Sequence, residues 1–118
     1  MSVADIAKAF LAHVAAGQDD KAQTFWSEDI VSLEGGDGPM AVCRGRSELL
    51  KKHEWWGANT KVHAFTVEGP FIHDDRFAAI FEIDAEMQGE RRTLREVAVY
   101  LVKDGKIVEE RFFNPTDG

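Results

Sequence analysis

Val3, Ile6, Ala7, Phe10, Leu11 and Val14 recur at helical spacing, so residues 3–16 are expected to form an amphipathic helix with one apolar stripe facing a core. Ser2 and Asp5 have the spacing of a capping box, and Gly17 supplies a left-handed stop. Asp19 or Asp20 can cap a short second helix ending near Trp26. Residues 30–34 then read as a strand, the glycine-rich residues 35–39 as a loop, and residues 40–44 as a short return strand. Ser47 can cap a third helix carrying Leu49, Leu50, His53 and Trp56, which Gly57 should terminate.

From Thr60 onward the period changes to two, giving strands at 61–68, 76–87, 92–103 and 106–113. Helices followed by an antiparallel meander predict an α+β fold. If Gln88 and Gly89 form a two-residue turn, Glu86 faces Arg91 and Glu82 faces Arg95, with Ile80 against Val97 and Ala78 against Val99 on that same face. The opposite face then carries Phe77, Ala79, Phe81, Ile83, Leu94, Glu96, Ala98 and Tyr100. The last hairpin admits two registers. A three-residue turn over Lys103, Asp104 and Gly105 puts Val108, Glu110 and Phe112 on the face of Ala98 and Tyr100, with Glu110 opposite Ala98. A two-residue Asp104-Gly105 turn puts Glu109 and Arg111 there instead, because one residue of slip exchanges the two faces.

A chain of 118 residues can bury one core without staples, so residues 1–118 are expected to form a single domain. A net charge of −7, with basic residues interleaved among acids, argues against nucleic acid as a partner. No stretch approaches the roughly 18 apolar residues of a membrane span, so no membrane partner is expected. The lone Cys43 has no partner for a disulfide and favours a reducing, cytoplasmic location.

The order helix, helix, strand, helix, then four long strands, closing on Tyr100-Leu101-Val102-Lys103-Asp104-Gly105-Lys106-Ile107-Val108-Glu109-Glu110, resembles the nuclear transport factor 2-like superfamily, in particular its SnoaL-like branch. The resemblance covers nearly the whole chain. It implies a cone-shaped curved antiparallel sheet closed by three N-terminal helices around a pocket, and a homodimer. It does not choose among the isomerases, cyclases, hydrolases and non-catalytic members that share the fold. Compared with ketosteroid isomerase and polyketide cyclases of this superfamily, Glu34 falls at the isomerase's base position. Phe10 stands where that enzyme has its oxyanion tyrosine, and Ala98 where both keep a strand acid. Those departures remove the electrophilic half, so neither steroid isomerisation nor the same cyclase mechanism is carried over.

The candidate catalytic residues are Glu34, Glu96, Glu110 and Tyr100. Glu34 is either a solvated strand end or a proton acceptor whose affinity for protons is raised by desolvation. Glu96 and Glu110, if both face inward, must be paired or stay protonated. They belong either to a site, with Glu110 replacing the missing strand acid, or to a structural network with Arg92, Arg111 or Tyr100. Tyr100 is either a donor to a bound carbonyl or a core tyrosine. Phe10, Trp26, Trp56, His63, Phe81, Ile83, Ala98 and Phe112 are the expected ligand-binding positions. No metal is expected, since His53, His63 and His73 lack ligand spacing, and no cofactor is implied. The expected ligand is a small apolar or aromatic carbonyl-containing molecule. The outer face of Ala78, Ile80, Val97, Val99 and Leu101, flanked by Glu82, Arg95 and Arg111, is apolar enough to predict a homodimer through it.

Overall fold

Ser2 and Asp5 do close a capping box: the Asp5 N–H donates to Ser2 Oγ at 3.1 Å and the Ser2 N–H to Asp5 Oδ2 at 3.3 Å. Helix α1 (Val3–Ala15) follows and buries Ile6, Ala7, Phe10 and Leu11 along the predicted stripe. The computed structural model describes residues 1–114, so the last four positions of the expected 1–118 domain lie outside the described residues. Helix α2 (Asp19–Ala22) is capped by Gln18 without a side-chain bond, and Asp19 and Asp20 sit in its first turn instead, where their charge suits the helix dipole. A 3₁₀ turn over Gln23–Phe25 leads into strand β1 (Trp26–Leu33), which begins earlier than expected.

After β2 (Val42–Arg44), helix α3 runs over Arg46–Asn59. Gly45, at φ 88°, occupies the N-cap rather than Ser47, a conformation in which glycine has no Cβ penalty. Gly57 does not end the helix; the cost of one interior glycine, about 1 kcal/mol, is small enough for the last turn to form around it. The chain then builds β3 (Thr60–His73), β4 (Arg76–Met87), β5 (Glu90–Lys103) and β6 (Lys106–Phe113).

The six strands form one sheet in the order β2-β1-β6-β5-β4-β3. Strands β1 and β6 are parallel, so the sheet is mixed rather than antiparallel throughout. That pairing joins segments separated by α3 and four strands, and alternation along either strand carries no information about its direction. Bulges in β1, β3 and β6 bend the sheet, whose outer strands do not pair with each other, leaving an open cone.

The β4–β5 register is the one read from charge, with Glu82 opposite Arg95 and Glu86 opposite Arg91. Arg95 Nη1 lies 3.3 Å from Glu82 Oε2, whereas the Arg91 guanidinium reaches diagonally to fork onto Asp84 with two bonds of 2.9 Å. In the last hairpin both expected registers are partly right. The turn holds two residues, Asp104 at φ 52° and Gly105 at φ 78°. A bulge at Val108 then adds a residue, so Val102 pairs with Ile107 but Leu101 with Glu109. The two offsets compensate and Glu110 faces inward, opposite Tyr100; Phe112, not Glu110, stands opposite Ala98.

Phe77 anchors the core, stacking on Tyr100 with ring centroids 4.8 Å apart, while Phe10 meets the two rings edge-on at 6.1 and 5.1 Å. On the outer face Ala78, Ile80, Val97, Val99 and Leu101 are half-buried, and Phe71 and Phe113 stand exposed beside them. Among the described residues no helix is long and apolar enough to cross a membrane.

Candidate functional site

The helices leave a cavity of about 690 Å³ above the inner face of the sheet, inside the range of roughly 300 to 1,000 Å³ typical of small-molecule pockets. All four candidate catalytic residues line it, as do Phe10, Trp26, Trp56, Phe81, Ile83 and Phe112. Two expected ligand-binding residues do not. Ala98 is fully buried and its methyl does not line the cavity. His63 is displaced by the bulge in β3: plain alternation from Phe65 would aim it inward, but Val62 takes the inward slot opposite Ala85. His63 Nε2 instead lies 3.2 Å from Glu86 Oε1.

Two residues of the site went unrecognised in the sequence, Ser32 and Lys52. Parallel pairing of β1 with β6 sets Ser32 beside Glu110, and the fully buried Ser32 hydroxyl donates to Glu110 Oε2 at 2.7 Å. On α3, Leu49 is buried against the core, and Lys52, His53 and Trp56 follow at i+3, i+4 and i+7 on the same face. That spacing carries Lys52 into the cavity, where its ammonium pairs with Glu34 Oε1 at 2.9 Å and donates to Ser32 Oγ at 3.2 Å. The same nitrogen sits 5.4 Å from the centre of the Phe112 ring. Glu34 stands at the mouth, just past β1, its N–H held by the Ala41 carbonyl at 2.7 Å. Its side chain is 38% exposed and ion-paired, which, of the two readings of Glu34, fits the solvated strand end.

The chain Glu34, Lys52, Ser32, Glu110 therefore links the end of β1, α3 and β6 through one lysine and one serine. Neither Arg92 nor Arg111 partners the interior acids; Arg92 pairs with Glu90 and Arg111 with Glu109. Burial raises Glu110 to about 7, opposed by the Ser32 hydrogen bond and by Lys52, and assisted by the charge of Glu34. Burial also raises Glu96 to about 7, assisted by Glu34 and Glu110 and opposed by Lys52. No hydrogen bond to Glu96 occurs among the described residues, so the Lys52 charge alone favours its ionised form, against burial and two neighbouring acids. Tyr100, buried against Phe77, is pushed well above its ordinary value by burial and by the two acids, and stays a donor. Among the described residues no cluster of three or more His, Cys, Asp or Glu is arranged to hold a metal ion.

A half-open α+β cone with acids aimed into an aromatic-lined, ligand-sized cavity defines the class: a pocketed protein with the nuclear transport factor 2-like fold. Within it the chain belongs to the SnoaL-like domain family, whose profile matches residues 1–114. It is similar to a Mesorhizobium loti protein designated a SnoaL-like polyketide cyclase, at 43% identity and a TM-score of 0.92, over 96% of this chain and 99% of that one. An NTF2-like protein from Burkholderia thailandensis superposes with a TM-score of 0.86 at 18% identity, covering 98% of this chain and 92% of that one. A Pseudomonas putida protein designated a polyketide cyclase gives 0.73 at 17%, covering 96% and 91%; these two likenesses concern the fold. No curated protein sequence matches the chain.

Proposed function

We propose that this protein binds a small apolar or aromatic carbonyl compound and moves a proton on it without a cofactor, as an isomerase, cyclase or lyase does. The observation that carries the reading is the pair of interior carboxyls, Glu96 and Glu110, both raised to about 7 and both lining one ligand-sized cavity. A group poised near the working pH is the most effective general acid or base. The ionised form of Glu110 is supported by Ser32 and Lys52, so Glu110 takes the proton from the carbon beside the carbonyl. Glu96 in its protonated form, without a donor of its own, and Tyr100 give hydrogen bonds to the oxygen as charge develops there. Glu34, already paired with Lys52, holds the cavity mouth. The Mesorhizobium loti relative carries the designation polyketide cyclase, which supports this class of reaction and not a particular substrate.

The test is deuterium incorporation at the acidic carbon of 2-tetralone, an enolisable aromatic ketone, followed by NMR in heavy water. The wild type is expected to accelerate exchange with a bell-shaped pH profile centred near 7, because Glu110 must be ionised while Glu96 is protonated. Saturation without acceleration at any pH sinks the catalytic reading and leaves a binding protein.

The reading also assigns the apolar outer face to a second copy of this chain, with Phe71 and Phe113 covered in the pair. Sedimentation equilibrium is expected to show a dimer that Val99→Lys separates; a monomer at all concentrations contradicts it.

A further inference from the structure

We propose that Lys52 is the site's oxyanion-binding residue, and that the ligands it selects are those whose oxygen carries or acquires negative charge conjugated to a flat apolar ring: enolates and phenolates. The inference rests on the proton-transfer reading above and adds a residue to it. An ammonium has three N–H donors and no acceptor. Two of those of Lys52 are accounted for, one by Glu34 at 2.9 Å and one by Ser32 at 3.2 Å. The lysine lines the cavity beside the Phe112 ring, so its remaining donor has the cavity within reach.

The position of Ser32 separates this role from simple charge neutralisation. Were Lys52 present to neutralise Glu110, the ammonium would contact that carboxylate directly. Instead the Ser32 hydroxyl stands between them, accepting from Lys52 and donating to Glu110. A direct ion pair would hold Glu110 ionised; the intervening hydroxyl leaves it able to exchange a proton while the positive charge stays close. Glu34 meanwhile balances a lysine whose side chain is only 13% exposed, and fixes its nitrogen from the mouth side. The step balances without any other reactant. The carbon-bound proton passes to Glu110, the C–H electron pair becomes a C=C bond, and the carbonyl π pair moves onto the oxygen beside Lys52. Return of the proton to the same or another carbon reverses the charge movement. Protonated Glu96 and Tyr100 can assist, but Lys52 is the cationic donor that is joined through Ser32 to the base and has a hydrogen bond left to give.

The experiment uses 4-nitrophenol, whose phenolate has its own absorbance band, with 4-nitroanisole as the neutral isostere that cannot ionise. Binding is measured at the pH where free 4-nitrophenol is half ionised. The wild type is expected to shift the bound probe toward phenolate, raising the phenolate-to-phenol ratio about tenfold or more, the size of one charge-assisted hydrogen bond. Lys52→Met should abolish that shift while leaving 4-nitroanisole affinity within about twofold. Lys52→Arg should retain most of it. Should Lys52→Met fail to fold, Glu34→Gln answers the same question: freeing the ammonium from its carboxylate should strengthen the phenolate preference. A purely structural lysine predicts no spectral change in any variant. Binding of 4-nitroanisole by the wild type with no phenolate preference overturns the assignment of Lys52 and leaves the pocket reading standing. Failure of the wild type to bind either compound overturns both.

Discussion

Glu110→Gln is expected to make the protein more stable in alkaline solution and to slow its proton transfer by about 10²- to 10⁴-fold. Glu110 is 3% exposed and its folded value lies near 7 against an ordinary 4.5. For an acid raised in this way the folded state holds the proton more tightly than the unfolded chain does. Its stability contribution is therefore complete below about pH 4.5 and is lost as pH rises through about 7. Glutamine is neutral at every pH and escapes that loss, which approaches about 3 kcal/mol at full ionisation. Its extra N–H₂ needs an acceptor that the carboxylate did not, which reduces the gain to about 2 kcal/mol. Urea unfolding of both proteins at pH 5 and pH 9 should show the variant ahead only at the higher pH. An equal difference at the two pH values contradicts the assignment. Greater stability joined to lost activity is the signature of a strained functional carboxylate rather than a structural one.

Phe77→Ala is expected to remove most of the stability of the fold, about 3 to 5 kcal/mol out of the 5 to 15 usual for a domain. Phe77 is fully buried on β4 and touches both halves of the core, stacking on Tyr100 and meeting Phe10 of α1. Its loss opens a space that neither the helix nor the sheet can close alone. Because the same ring supports Tyr100, the aromatic circular dichroism near the tyrosine band should weaken even under conditions where the variant stays folded. A loss below about 1 kcal/mol, the size seen at surface positions, would show that Phe77 is not the core's anchor.

Much of the fold was legible where one face is apolar and the other polar. The stripe from Ile6 to Leu11 and the alternation of Phe77, Ala79, Phe81 and Ile83 report burial directly. The β4–β5 register followed from charges that must face their opposites across a hairpin. Bulges defeated the same method. One extra residue at His63 turned a predicted ligand-binding histidine outward, and one at Val108 returned Glu110 to the inside despite a two-residue turn. A bulge is a tertiary accommodation of sheet curvature, and no local residue type announces it. Helix α3 was the other blind spot. Its inward face carries Lys52, His53 and Trp56 behind a single buried leucine, so it reads as a mostly solvated helix. Ser32 gave no signal at all, since its role comes from a parallel strand 78 residues away. The acids were found and their partners were not, because a carboxylate in an apolar strand is conspicuous in sequence whereas the groups that satisfy it are set by long-range pairing.

The proposed proton transfer needs two interior carboxyls that exchange protons near neutral pH inside one ligand-sized cavity. Carbon-13 NMR of protein labelled at the glutamate carboxyls measures this directly, with Glu96→Gln and Glu110→Gln assigning the two signals. These two are expected to titrate with midpoints of about 7, apart from the other glutamates, and both to move when 2-tetralone is added. Midpoints for Glu96 and Glu110 in the ordinary range of about 4 to 5, unmoved by the ketone, would contradict the proposed proton transfer.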